Sequence, residues 1–294
     1  MTEVVTLSRD AGWPDRPLFP KSDLAIGFTR ITRHPAIELH SHDFTEIVIV
    51  GSGRASHQYG GTECGVQTGD VFVVRPHLAH KYTSVDQLAV SNVPFYDDGS
   101  IPLLADLAQL PAYGAMFLLE PTLREREEMG GRMRLGFDRL AGVLSLLARL
   151  EEALRSPEEA SSAVATVCFL QLIRELCDAY QNTPPLMGES LMQVNRAISY
   201  IKNHFDEALS IADLARLVNM SLRSFQRHFE RATGVPAVRY IMQHRITKAR
   251  RLLEAGINVT DTAFEVGFKD PNYFSRAFRD EVGITPKRYQ IQSR

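Results

Sequence analysis

Phe225-Gln226-Arg227-His228-Phe229, four further residues and Gly234 spell F-x-R-x-F-x4-G. Phe274-Ser275-Arg276-Ala277-Phe278, four further residues and Gly283 spell it again, 49 residues on. Upstream of each copy sits a short apolar segment: Leu214, Ala215, Leu217 and Val218 before the first, Ala263, Phe264 and Val266 before the second. A turn follows each segment, Asn219-Met220 and Gly267-Phe268. Two helices joined by a tight turn, used twice, predict a doubled helix-turn-helix, with units at 211–232 and 259–281.

The second helix of each unit carries the chemistry. Ser221 is a good N-cap for the first, and Asp270 followed by Pro271 opens the second. Phe225 and Phe229 lie four apart and face inward, as do Phe274 and Phe278. That leaves Arg223, Gln226 and Arg227 outward in one helix, and Asn272, Tyr273, Ser275 and Arg276 near the start of the other. Arginine pairs with guanine edges and glutamine with adenine edges in the major groove. The amphipathic run Val238, Ile241, Ile246, Ala249, Leu252 and Leu253 predicts a long helix between the units, ended by Gly256. Such a spacer suits two successive major-groove faces, ~34 Å apart.

Charge follows the same division. Residues 1–188 carry 16 Lys and Arg against 24 Asp and Glu, a balance of -8. Residues 189–294 carry 17 against 11, a balance of +6. A basic C-terminal third on an acidic body predicts a polyanion partner, double-stranded DNA, for that third alone. The bland alternatives are chance segregation of surface charge and, for the doubled motif, a helical protein-interaction domain with solvated arginines.

The rest of the chain reads as four segments. Residues 1–20 form an N-terminal arm with Trp13, Pro14, Pro17 and Pro20 and no periodicity. Residues 21–120 hold short β-rich runs at 25–28, 46–50, 54–59 and 71–74, punctuated by Gly51-Ser52-Gly53, Gly60-Gly61 and Gly69-Asp70. Their spacing predicts an antiparallel barrel or jelly roll. Residues 121–181 turn helical, with Gly130-Gly131 as an early break and Ser156-Pro157 restarting a helix. This segment packs on the barrel or pairs two chains as a homodimer. Residues 182–189, with Pro184-Pro185, form a linker to a C-terminal domain at 190–294. The fold class is therefore α+β multidomain: a cupin-like β-barrel with a helical segment, then an all-α double helix-turn-helix. No apolar run approaches the ~18 residues of a membrane span. Cys64, Cys168 and Cys177 are odd in number and scattered, which predicts free thiols and a cytoplasmic location.

Residues 190–290 resemble the DNA-binding domain of the AraC/XylS family of bacterial transcription regulators. The likeness rests on Ala215, Ser221, Phe225, Arg227, Phe229, Gly234, Arg245, Gly267, Tyr273, Phe274, Arg276, Phe278, Gly283 and Pro286, among others. It implies that both second helices enter major grooves, and that the protein contacts RNA polymerase, commonly as an activator.

In the N-terminal half, His40-x-His42-x3-Glu46 precedes Pro76-x3-His80. Histidines at i and i+2 share one strand face, and a glutamate and a later histidine are able to converge on it. Such N/O ligands suit a divalent metal. The pattern resembles the two cupin motifs, the second degraded by Leu78 where glycine is usual. His40, His42, Glu46 and His80 would otherwise bond the hydroxyls of a small effector in a barrel mouth. The stretch 42–50, with Gly69-Asp70-Val71-Phe72-Val73 and Ser91-Asn92-Val93, looks closest to the L-rhamnose regulators of the family and implies a monosaccharide effector. The alternative is a metal-dependent cupin enzyme fused to a DNA-binding domain. No further acid–base or nucleophile constellation supports that alternative.

Overall fold

The computed structural model describes residues 5–8, 18–21, 23–35, 37–59, 62–126, 132–182 and 187–293. The chain divides into two compact units, Met1–Met192 and Gln193–Arg294. Trp13, Pro14 and Pro17 of the arm, Gly60-Gly61, Gly130-Gly131, and residues 183–186 of the linker lie outside the described residues.

The first unit holds eight strands among the described residues. They are β1 (Val5–Leu7), β2 (Thr29–Ile31), β3 (Ile37–His42), β4 (Thr45–Tyr59), β5 (Thr62–Gln67), β6 (Asp70–Val74), β7 (His80–Phe95) and β8 (Met133–Arg134). The spine is the antiparallel pair β4–β7, which runs from Thr45 opposite Phe95 to Tyr59 opposite His80. β6 flanks the first half of β4, and β5 its second half. On the far side of β7 lie β3 and β2. The sheet order is β1-β3-β7-β4-β6-β8, with β2 on β7 and β5 on β4. No described pairing joins the β1 and β8 ends, so the expected barrel is a curled sheet that hydrogen bonds do not close.

Several expectations change here. The runs 46–50 and 54–59 are one strand, because Gly51-Ser52-Gly53 is absorbed as register shifts against β7. Gly53 takes φ +77°, and a Cβ there would stand 2.1 Å from the Gln87 carbonyl oxygen. The run 25–28 makes only a single bridge, Ile26 to Phe95, and the strand follows it at β2. The arm contributes β1, paired in parallel with β3. The helical segment contributes β8, paired with β6.

One face of the sheet buries Val48, Val50, Ala55, Tyr59, Val66, Phe72, Val74, Tyr82, Leu88 and Val90 together. The remaining elements of this unit are helical: α1 (Leu104–Leu107), α2 (Pro111–Tyr113), π-helical turns at Gly114–Leu119, α3 (Glu120–Arg126), α4 (Phe137–Arg155) and α5 (Ser161–Asn182). α5 starts at Ser161 rather than beside Pro157. Ser156 Oγ instead accepts from the Glu158 amide, closing a local turn. α4 and α5 pack on each other through residues spaced three and four apart, such as Leu140, Val143, Leu147, Leu150 and Leu154 of α4.

The second unit is helical. After α6 (Gly188–Asn203), which straddles the unit boundary, come α7 (Ile211–Leu217), α8 (Leu222–Thr233), α9 (Ala237–Glu254), α10 (Val259–Glu265), α11 (Pro271–Val282) and α12 (Pro286–Gln292). Phe274, Phe278, Ala263, Val266 and Phe268 share a core with Ile246, Ala249 and Leu253 of α9. Val238, expected on the apolar face of this helix, is exposed instead.

Candidate nucleic-acid interface and ligand pocket

The two repeated units close their first helices in the same way. The Met220 amide bonds the Ala215 carbonyl, and the Asn219 amide bonds Arg216. In the second unit Phe268 bonds Ala263 and Gly267 bonds Phe264. Both are Schellman endings, with Asn219 (φ +56°) and Gly267 (φ +81°) in the left-handed region. The second turn is one residue longer, since Lys269 stands between Phe268 and the cap. Ser221 caps α8 by accepting from the Ser224 amide at 3.2 Å, and Asp270 caps α11 by accepting from Asn272 at 2.8 Å.

Phe225, Phe229, Phe274 and Phe278 are wholly buried. Their burial fixes the roll of each helix. Arg223, Gln226 and Arg227 are exposed on α8; Asn272, Tyr273 and Arg276 are exposed on α11, and Ser275 is half-buried. Beside α11 an open groove of about 740 Å³ is bordered by Ser210, Arg245, Lys269, Asp270, Tyr273 and Arg276. Arg245 bonds three carbonyls, of Phe205, Glu207 and Gly267. Sequence reasoning gave Arg245 no structural task, because its partners lie 22 to 40 residues away.

The pocket residues come from three strands. His40 and His42 lie on β3, Glu46 on β4 and His80 on β7. His42 Nε2 and His80 Nε2 stand 3.8 and 3.9 Å from Glu46 Oε2, and all three residues are buried. His40 sits at the rim, its ring 4.3 Å from that of His80. Nδ1 of His42, His80 and His40 lies against the carbonyls of Phe44, Leu78 and Glu38. A carbonyl only accepts, so Nδ1 carries the proton in each and Nε2 presents a lone pair.

Burial pushes the Glu46 carboxyl up to about 8, against a smaller lowering by Asn92. Burial pulls His42 down to about 4. His80 lies well below its usual value through burial, and then through the neighbouring His40 and His42. A neutral carboxylic acid facing two neutral imidazoles is the state these shifts favour near neutral pH.

The cavity here measures about 20 Å³ and is bordered also by Leu7, Leu18, Thr29, Ile31, His34, Tyr82 and Asn92. That is room for a water or an ion, so a larger guest displaces side chains. Tyr82 and Asn92 had a readable signal, their alternation along β7. Leu7 and Leu18 had none, since the arm shows no period.

A sheet-rich unit with a small polar pocket, joined to a basic unit with two capped helix-turn-helix elements, defines a ligand-sensing DNA-binding regulator. A family model described as "AraC-like ligand binding domain" matches residues 25–165, and one described as "Helix-turn-helix domain" matches 214–292. The chain belongs to the AraC family of transcription regulators. It is 28% identical over 274 residues to the HTH-type transcriptional activator RhaS of Escherichia coli O139:H28 (strain E24377A / ETEC), covering 92% of this chain and 93% of that protein. RhaS of Enterobacter sp. (strain 638) is 28% identical over 278 residues, with the same coverage. Among solved structures, the DNA-binding domain of AdpA, the global transcriptional factor, in complex with a target DNA, is 28% identical with a TM-score of 0.33. It covers 34% of this chain and 91% of that one.

Proposed function

We propose that this chain activates transcription in response to a small polyhydroxylated effector, a monosaccharide or close derivative. α8 and α11 bind double-stranded DNA in adjacent major grooves. Arg223, Gln226, Arg227, Asn272, Tyr273 and Arg276 meet bases or phosphates there, and Ser275 supports them. His40, His42, Glu46 and His80 bond the effector's hydroxyls. The protein works in the cytoplasm as a homodimer and recruits RNA polymerase. A stripe on α5 that leaves Val164 and Val167 exposed supports the pairing of two chains.

The observation that carries this reading is the pair of capped helices whose buried phenylalanines turn cationic and amide side chains outward. The activator RhaS, similar along nearly the whole chain, supports activation, and the resemblance of residues 42–50 to the L-rhamnose regulators supports the sugar class. The test is affinity for an operator duplex with and without a panel of monosaccharides. Effector and DNA must alter each other's affinity by the same factor. A panel that leaves DNA affinity unchanged contradicts the sensor half of the reading.

One observation favours a second occupant of the pocket. His42, Glu46 and His80 offer donor atoms within 4.8 Å of one another. A tetrahedral ion with bonds of ~2.1 Å needs donors about 3.4 Å apart, a contraction of a few tenths of an ångström for two of the pairs. The backbone carbonyls on each Nδ1 already supply the outer shell that orients such ligands. Repeating the effector titration in chelator separates the two: a response kept in chelator is metal-free, and one lost in chelator assigns the ion.

A further inference from the structure

Deeper in the sheet-rich unit, beyond the histidine and glutamate group, lies a second polar cluster that the sequence did not announce. Two guanidiniums approach the ring of Phe72 in β6: Arg132 Cζ is 4.6 Å from the ring centroid and Arg124 Cζ 5.9 Å. Arg124 is 4% exposed, and its Nε, Nη1 and Nη2 have no hydrogen-bond partner among the described residues. Among the described residues its one ionic neighbour is Glu120, at 3.5 Å. Arg132 donates to the Gly65 carbonyl, to Cys64 Sγ and to His57 Nδ1, while its Nε is left without a partner. Among the described residues, then, Arg124 pairs with one carboxylate and Arg132 with none. The neighbouring Asp70 already bonds Arg134.

A guanidinium only donates, so Nδ1 of His57 accepts from Arg132 and the proton sits on Nε2. That Nε2–H is wholly buried and has no partner. The Tyr82 hydroxyl is buried without a partner beside it, the two rings 4.8 Å apart. Apart from Glu120 Oε2, the unmet groups at this end are donors: two guanidiniums, an imidazole N–H and a phenol.

The unmet groups at the other end are acceptors: the His42 Nε2 lone pair and Asn92 Oδ1. The two ends adjoin, since the ring of His57 is 5.5 Å from that of His80. Buried donors and acceptors left unmet are costly, and each group needs a partner. One guest meets both sets if it brings hydroxyl protons to one end and an anion to the other.

Resting on the reading of this unit as an effector-binding one, we propose that the effector is an acidic carbohydrate, a polyhydroxylated carboxylate. Arg124, Arg132, the His57 Nε2–H and the Tyr82 hydroxyl receive its carboxylate, and the His42 and Asn92 end receives its hydroxyls. Guanidinium groups with free N–H edges match carboxylate geometry better than any neutral hydroxyl does. Entry of the anion supplies the negative charge that Glu120 alone does not.

The test is a set of thermal melts of the full-length protein with matched pairs: glucose and glucuronate, galactose and galacturonate, mannose and mannuronate. Sodium chloride keeps ionic strength equal. At least one acid is expected to raise the melting temperature by several degrees, more than its neutral partner does. Arg132→Gln should cut that acid's shift to the level of the neutral sugar. Arg124→Gln is the second variant, and the wild-type pairs decide the matter alone if neither variant folds. Equal shifts for acid and neutral partner overturn the inference. A shift with neutral sugars alone overturns it as well and leaves the sensor reading standing. Silence from every compound overturns both.

Discussion

Arg245 Nη1 donates to the carbonyl oxygen of Gly267 across 3.0 Å, tying the spacer helix to the turn of the second helix-turn-helix. The same guanidinium reaches the carbonyls of Phe205 and Glu207, at 2.7 Å each, and covers the Phe268 ring. One side chain thus holds three segments that approach the groove beside α11. Arg245→Met removes all three bonds and leaves partly buried carbonyls unmet. It should cost the second unit about 1–3 kcal/mol, read as a lower denaturant midpoint. An unchanged midpoint contradicts the stapling role.

Gly267 and Gly283 both have positive φ, +81° and +85°, but different surroundings. A Cβ on Gly267 would stand 2.5 Å from the Asp206 carbonyl oxygen; one on Gly283 would meet nothing within 4 Å. Gly283→Ala should therefore cost only the left-handed strain, ~1 kcal/mol. Gly267→Ala should cost clearly more and loosen the turn before α11. Equal losses in urea unfolding would mean that the close approach has no energetic weight.

The repeat itself was legible because it is local. Caps, turns and inward phenylalanines lie within one or two helical turns of each other, and periodicity reports such contacts. The sheet was less legible. β4 runs through Gly51-Ser52-Gly53, where a glycine pair normally signals a break, because β7 shifts register to follow it. β1 and β8 are three and two residues long, too short to show an alternation. His42, Glu46 and His80 were visible by type and spacing. Arg124 and Arg132 were not, since a buried arginine looks like a surface one until the strands around it are placed.

Arg227→Ala and Arg276→Ala should each weaken binding to a specific duplex by about 1–3 kcal/mol if the side chain reads a base. Base preference should then relax at one position of the site. A uniform loss on specific and random duplexes, with the salt slope reduced by about one, would make that arginine a phosphate contact.

The stability of the first unit should fall between about pH 6.5 and 8. The Glu46 carboxyl is raised from the usual 4.5 to about 8, so across that interval the folded state holds a proton that the unfolded state has released. Its contribution is full below about 4.5 and lost as pH rises through 8. His42 works the other way: lowered from 6.5 to about 4, it withdraws stability as pH falls through that range. His57 and His80 act in the same sense as His42. The optimum should sit near pH 6.5. Glu46→Gln should flatten the alkaline side alone, and a wild-type melting temperature that keeps rising to pH 8 would show that Glu46 is ionised in the folded protein.

In the proposed function two helix-turn-helix units read one duplex together. Full-length protein should be used to select bound sequences from a pool of random duplexes. The expected result is an enriched site with two informative blocks whose centres lie about one helical turn apart, ~10 base pairs. Affinity for that site should fall steeply with salt. A folded protein that enriches no sequence over the starting pool would contradict the claim.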